Sequence, residues 1–289
     1  MNGRAGLLFS LVPLVMWGLC DYVASKASRT LDPYSINFAF SVYSVPVPLI
    51  ICFIKGFPHV SLGIFGLYFL ATSLITFAFI SMVAGFSKGT VGIVAPLANA
   101  YSVVTLFLLV LLFHEKVGLL QIPAVFLIVI GIALISYHKS KKSRQVIGFS
   151  VRYGIIAMIL FGTGFTVIAR INTNTTWYGN QLLLQVASLI LAVIIMAVLT
   201  KKRRKFQPLG LTSIYNIIGG IIGSLGLLGY FLALSFGAST VLVTAIGSAA
   251  PLVTALLAYK FDHERLHIQQ RIGTFIIVAS VIYVNLLSK

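Results

Sequence analysis

The chain holds five acidic residues in 289, and four of them, Asp32, Glu115, Asp262 and Glu264, fall at the ends of apolar runs or in turns. Asp21 does not: it lies inside an apolar run, four residues after Trp17. A carboxyl at membrane depth is costly unless it faces a cavity or a partner. There it can hold a solute group or exchange a proton. The alternative is that Asp21 lies near enough to the end of its run to reach the headgroups, or pairs with a basic side chain. Trp17, Asp21 and Ser25 share one helix face by i,i+4 spacing, as a cavity lining requires.

Other residues widen the candidate site. Lys26 and its counterpart Arg170 end two apolar runs. They either snorkel to the interface or, if the runs converge, hold an anionic group or neutralise Asp21. Pro96, Asn99, Tyr101 and Ser102 lie in one run; Thr244, Ser248 and Pro251 lie in another. A proline inside a helix frees a carbonyl and bends the axis, and nearby polar side chains can satisfy the backbone or touch a ligand. Asn99 and Ser248 are the preferred polar pair, with interhelical hydrogen bonding as the other reading. Tyr101 and Tyr230 are candidate walls or gates, although most aromatic residues in such a chain serve packing or the interfacial belt. The glycines Gly219, Gly220, Gly223, Gly226 and Gly229 have neither the preceding strand nor the Lys-Ser/Thr of a phosphate loop. They predict close helix packing or a moving helix.

What must position these residues follows from composition. Hydrophobic residues make up 59% of the chain and charged residues 9%, and the mean hydropathy is +1.04. These values place the chain in a bilayer. The net charge of +16 sits between apolar runs, facing cytoplasm and anionic lipid, and does not imply nucleic acid. Cys20 and Cys52 fall inside apolar runs, so no disulfide is expected. The first run carries Trp17 and Asp21 and is too long for a cleaved signal.

Ten apolar runs are counted, about 5–27, 35–54, 61–86, 89–112, 119–138, 149–170, 178–199, 211–235, 239–261 and 268–287. Each is near the length a helix needs to cross ~30 Å, and the runs lack the alternation of a membrane barrel. Residues 84–129 are repeated at 233–278 without a gap. Ala84 meets Ala233, Val104-Thr105 meets Val253-Thr254, and His114-Glu115 meets His263-Glu264. A weaker echo pairs Trp17-Gly18 and Lys26 with Phe161-Gly162 and Arg170. The expected fold is therefore all-α and integral to the membrane, with ten transmembrane helices in two five-helix repeats. The first repeat is 1–138, a basic linker follows at 139–146, and the second repeat is 147–289. An odd number of spans per repeat makes the repeats inverted. Sixteen Lys and Arg residues fall on one side and five on the other, which places both termini outside by the positive-inside rule.

The segment from Leu234 to Gly273 contains SFGAST, Pro251, FDHERL, Gln269 and Gly273. It resembles the EamA family of the drug/metabolite transporter superfamily, whose repeats end in a helix with a mid-span proline, a Gly-Glu-Arg-Leu turn and a Gln/Gly-bearing last helix. Trp17-Gly18 and Lys26 before Asp32-Pro33 are similar to its opening. The resemblance covers nearly the whole chain and implies a multi-pass inner-membrane carrier of small metabolites with its cavity between the halves. Three residues depart from the pattern. His114 and His263 stand where the family has Gly, and Ser102 stands where the second repeat has Pro251. The resemblance also implies cytoplasmic termini, against the charge count.

The leading expectation is a secondary transporter of small organic metabolites, amino acids or related solutes, working by alternating access; proton coupling through Asp21 is a subsidiary expectation, and exchange or facilitated diffusion would need no titrating residue. The alternative is a flippase for a lipid-linked amphiphile. An enzyme is not expected, since no Ser/His/Asp set, paired carboxylates or metal-ligand cluster lies in the runs. Both His-Glu pairs lack an HExxH pattern and are expected to serve as caps or gate charges. No cofactor or metal is expected. The expected partners are a small-molecule substrate and the lipid bilayer.

Overall fold

The computed structural model describes residues 3–89, 91–114, 121–135, 144–172, 175–201, 209–261 and 268–287. Among them no strand occurs, and the chain runs as α1 (Gly3–Phe9), α2 (Leu11–Ala27), α3 (Pro33–Ser44), α4 (Pro46–Lys55), α5 (Leu62–Lys88), α6 (Val91–Asn99), α7 (Tyr101–Phe113), α8 (Gln121–Ile135), α9 (Arg144–Ile171), α10 (Trp177–Lys201), α11 (Leu209–Thr212), α12 (Ile214–Ser235), α13 (Thr240–Gly247), α14 (Pro251–Phe261) and α15 (Ile268–Leu287). Helices are what a bilayer allows, because each backbone N–H and C=O must find its partner within the segment.

Eight stretches among the described residues are long and apolar enough to cross a membrane: Ala5–Ala27, Pro33–Lys55, Leu62–Lys88, Val91–Phe113, Gln145–Ile171, Trp177–Lys201, Ile214–Ser235 and Thr240–Phe261. They match eight of the ten expected runs. The other two are helical as α8 and α15, which pack on each other. The described part of α8 reaches roughly 22 Å at 1.5 Å per residue, less than a full crossing. Most of the basic linker lies outside the described residues, as do Asn174, Lys202–Lys205 and both Glu115-Lys116 and Asp262–Arg265.

Several spans are broken, each for a local reason. Pro46 ends α3 and opens α4, since its ring lacks the N–H that would continue the ladder. Pro96 lies inside α6, and the fourth span breaks one turn later at Ala100. The ninth span breaks at 248–250, the same place in the repeat. Pro251 therefore begins α14 and does not bend a continuous helix. At a first helical position its missing N–H costs nothing. His114 ends α7 with φ +51, its N–H bonding back to Val110 at 3.1 Å, so it acts as a left-handed cap.

Asp32 caps α3, accepting from the N–H groups of Tyr34 and Ser35 at 3.0 and 3.1 Å. At the end of α12, Ala238 N–H bonds Ala233 O and Gly237 N–H bonds Leu234 O, a Schellman pair that needs the φ of +87 at Gly237. Gly237→Ala should lower stability by about 1–2 kcal/mol, read as a drop in melting temperature of the detergent-purified protein. A methyl there meets nothing within 4 Å, so an unchanged melting temperature would mean that the turn needs no left-handed residue.

Two close crossings tie the halves. A methyl on Gly18 would stand 2.5 Å from both Ala250 O and Val253 Cβ. Thr254 Oγ1 lies 2.9 Å from Gly18 O and 3.4 Å from Ala250 O. The same contact recurs at Gly162: its methyl would meet Val104 Cβ and stand 2.9 Å from Tyr101 O. Thr105 Oγ1 lies 3.1 Å from Gly162 O and 3.2 Å from Tyr101 O. Tyr101, Val104 and Thr105 are the repeat equivalents of Ala250, Val253 and Thr254. Small residues let the backbones approach, and the hydroxyl bridges them.

The glycine face of α12 does similar work along its length. Methyls would collide with Phe40 at Gly219, with Tyr43 Cβ and Phe40 O at Gly220, with Trp17 at Gly226 and with Val12 at Gly229. α12 thus lies directly on α2 and α3, the packing reading of this stripe. Apolar packing collects into three clusters. One joins α2, α7, α8, α13 and α14 around Leu109 and Ile246, one surrounds Ile36, Val83 and Ala98, and one surrounds Tyr68, Phe165 and Tyr230.

Candidate functional site

Between the last two clusters lies a cavity of about 200 Å³. α2, α3, α5, α6 and α7 line it from the first half of the chain, and α9, α10 and α12 from the second. The broken fourth span delivers Asn99 and Tyr101 to it, and α2 delivers Trp17 and Asp21. α12 forms one wall through Gly219, Gly220 and Gly223, whose lack of side chains lets it pack closely on α2 and α3 beside the cavity.

Asp21 is only 5% exposed. Its Oδ2 accepts from Asn99 Nδ2 at 2.8 Å, and the same amide also donates to Ala95 O at 2.9 Å. Oδ1 has no donor among the described residues, and no basic side chain belongs to the lining. An amide can satisfy a carboxyl in either protonation state by a small rotation, whereas an ion pair would lock it charged. The arrangement leaves one carboxyl edge turned to the cavity, ready for a solute hydroxyl, a cation or a proton.

Aromatic rings form the opposite wall. Tyr101 stacks on Phe165 at 4.8 Å and 17°, Trp17 lies 5.5 Å from Phe165, and Phe161 lies 5.9 Å from Tyr101. The Tyr101 hydroxyl is buried without a hydrogen-bond partner among the described residues, and leaving a buried hydroxyl unsatisfied is costly. Neutral polar groups complete the ring. Asn37 and Thr76 are buried and have no partner among the described residues, Ser41 Oγ is 2.9 Å from Ser188 Oγ, and Gln185 Nε2 donates to Ser224 Oγ at 3.3 Å.

Of the residues singled out by sequence, Trp17, Asp21, Asn99 and Tyr101 meet in the cavity. Tyr230 does not line it but stands behind the wall, 5.3 Å from the Phe165 ring and 6.1 Å from that of Trp17. Ser248 is also outside the lining. Its hydroxyl lies 3.0 Å from Ser102 Oγ and 2.7 Å from Ala245 O, so it joins the two helix breaks to each other. Lys26 and Arg170 do not converge. Lys26 Nζ lies 5.0 Å from the Tyr22 ring, while Arg170 sits over the Phe113 ring at 3.9 Å and donates to Phe113 O at 3.3 Å. Sequence reasoning missed Asn37, Ser41, Thr72, Thr76, Gln185 and Ser188. The available signal was i,i+4 polar spacing, Asn37 with Ser41 and Thr72 with Thr76, on otherwise apolar helices.

Comparison with known proteins places this cavity in context. A "Putative sugar uptake protein lmo0169" from Listeria monocytogenes serovar 1/2a (strain ATCC BAA-679 / EGD-e) is 24% identical over 228 residues, 76% of this chain and 76% of that protein. A solved structure titled only "Crystal structure of protein" superposes with a TM-score of 0.73 over 98% of this chain and 97% of that one. At 11% identity it shares the fold alone. The model of the EamA-like transporter family matches residues 4–137 and again residues 148–286. With two such matches covering nearly all of a multi-pass helical chain, this protein belongs to the EamA-like transporter family, whose members are membrane transporters and not enzymes.

Proposed function

We propose that the protein is a secondary transporter of the cell (inner) membrane, built of ten spans in two inverted five-helix repeats, 1–138 and 147–289, joined by the linker 139–146. It moves a small organic solute by rocking one half against the other. The duplicated Gly-Thr crossings and the two matched helix breaks support this reading, because both halves then carry the same pivot in opposite senses. The observation that carries the function is the Asp21–Asn99 pair, a carboxyl inside the membrane with one edge free to the cavity. Proton coupling through Asp21 follows from that placement.

The lining also bears on the solute. An α-amino acid brings a carboxylate as well as an ammonium, and among the described residues no Lys or Arg lines the cavity to meet it. That disfavours amino acids and favours a small, hydroxyl-rich neutral solute, stacked on Trp17 and Tyr101 and bonded by Asp21, Asn37 and Gln185. Sugar uptake in the name of the Listeria relative points the same way. A volume of about 200 Å³ lies below the ~300–1,000 Å³ of drug-sized sites and suits a solute of monosaccharide size better than the bulky headgroup of a lipid-linked amphiphile.

The test is counterflow of labelled monosaccharides and amino acids in proteoliposomes, with and without a pH gradient. Sugar exchange stimulated by the gradient is expected. Amino acid exchange without sugar exchange, or no exchange of either, would overturn the solute class. Asn37→Leu should raise the half-saturation concentration roughly two- to tenfold, the equivalent of one lost hydrogen bond of about 0.5–1.5 kcal/mol. An unchanged value would remove Asn37 from the solute contacts.

A further inference from the structure

The solute cavity ends one helical turn short of a second set of buried polar side chains. On α5, Tyr68, Thr72 and Thr76 follow one another at i, i+4 and i+8, and on α10 Asn180, Leu184 and Ser188 do the same. Thr72, Thr76, Leu184 and Ser188 line the cavity. Tyr68 and Asn180 therefore continue the same two faces about 6 Å beyond it, at 1.5 Å per residue. They do so towards the end of the bundle where α5 and α10 begin and where α4 and α9 finish at Lys55 and Ile171.

Tyr68 is fully buried and Asn180 nearly so. The Tyr68 hydroxyl donates to Asn180 Oδ1 and lies 3.1 Å from Ile171 O. The Asn180 amide in turn donates to Asn172 O at 2.8 Å and to Asn172 Oδ1 at 2.9 Å. Phe165, Ile168, Ile171, Tyr230 and Phe231 pack in the same cluster as Tyr68, and Phe165 also belongs to the cavity wall. Tyr68 comes from the first half of the chain, whereas Ile171, Asn172 and Asn180 come from the second. A wholly apolar plug would expose apolar surface to water each time it opened. A hydroxyl and an amide instead exchange their protein partners for water, at the modest net cost of a hydrogen bond.

We propose that the Tyr68–Asn180–Asn172 chain is the latch that shuts the solute cavity at the Lys55 end. This rests on the rocking of one half against the other proposed above. When the halves part at this end, the chain breaks between Tyr68 and the second half and the cavity opens there. When they meet again the bonds re-form, and access passes to the opposite end.

The readout is Cys20, whose thiol lines the cavity 3.6 Å from Gly219 O. The other cysteine, Cys52, is removed as Cys52→Ala. Trimethylammonioethyl methanethiosulfonate, which does not cross membranes, is then added outside sealed right-side-out or inverted vesicles holding the full-length protein. The exposed His59, as His59→Cys in a separate preparation, identifies the face at the Lys55 end. Tyr68→Phe removes only the hydroxyl and should speed labelling of Cys20 from that face about two- to tenfold, the worth of one hydrogen bond, without speeding it from the opposite face. Asn172→Ala, at the half-buried end of the chain, should act in the same direction, and melting temperatures check that both variants fold. An equal rise from both faces would mean a loosened protein and overturn the latch, as would unchanged labelling in the two variants. Labelling needs no solute, so failure of the latch and failure of the transport reading are seen in separate measurements.

Discussion

Asp21→Asn is expected to abolish stimulation of uptake by a pH gradient and to lower uptake itself by about ten- to hundredfold, the equivalent of losing a hydrogen bond to a charged group of about 1.5–3 kcal/mol. The side chain keeps its shape, so the cavity stays open. What changes is the chemistry of one edge: Oδ1 faces the cavity without a donor among the described residues while Oδ2 is held by Asn99. An amide cannot release a proton, and one of its two positions no longer accepts. Asp21→Glu should restore gradient dependence in part, because the longer carboxyl still titrates but sits closer to the rings of Trp17 and Phe165. Gradient stimulation that survives in Asp21→Asn would end the coupling proposal, while leaving the solute site to be judged by counterflow alone.

The second large effect concerns the crossings. Gly18→Ala places a methyl 2.5 Å from Ala250 O and Val253 Cβ, and Gly162→Ala places one against Val104 Cβ and Tyr101 O. Backbone carbonyls cannot step aside as a flexible side chain would, so each substitution should cost at least about 1–3 kcal/mol. The two melting temperatures should fall by similar amounts. Thr105→Val and Thr254→Val remove only the bridging hydroxyls and should cost about 0.6 kcal/mol each, the average for such bonds in membranes. If one glycine tolerates alanine and the other does not, the crossings are not equivalent, and the two halves do not share a pivot.

Much of this was readable from the chain. A carboxyl in an apolar run is legible because its cost is large, and Asp21 led directly to Trp17 on the same face. The gapless repeat was legible for the same reason, as matching Thr105 with Thr254 requires no structure. Repetition also misled. Asn99 and Ser248 are equivalent positions, yet only Asn99 reaches the cavity, because Ser248 meets Ser102 where the two breaks touch. Lys26 and Arg170 end equivalent spans, but their side chains lie on local aromatic rings and not on each other. Asn37, Thr76 and Gln185 were not legible as site residues. A single neutral polar side chain on an apolar helix reads the same whether it bonds a neighbouring helix or a ligand. Only packing distinguishes them: Ser224 accepts from Gln185, and among the described residues no hydrogen-bond partner meets Asn37.

The twin crossings also set an order in time. Thr105 and Gly162 are 57 residues apart, Asp21 and Asn99 are 78 apart, but Gly18 waits for Thr254, 236 residues later. At ~5–20 residues per second of synthesis, the Gly162 crossing completes within roughly 3–11 s of its first member's appearance, and the Gly18 crossing only after roughly 12–47 s. Asn99 is made long before Thr254, so the amide is available to the Asp21 carboxyl before the Gly18 crossing can close. The amide that tunes the finished site thus also serves as the escort of the nascent one.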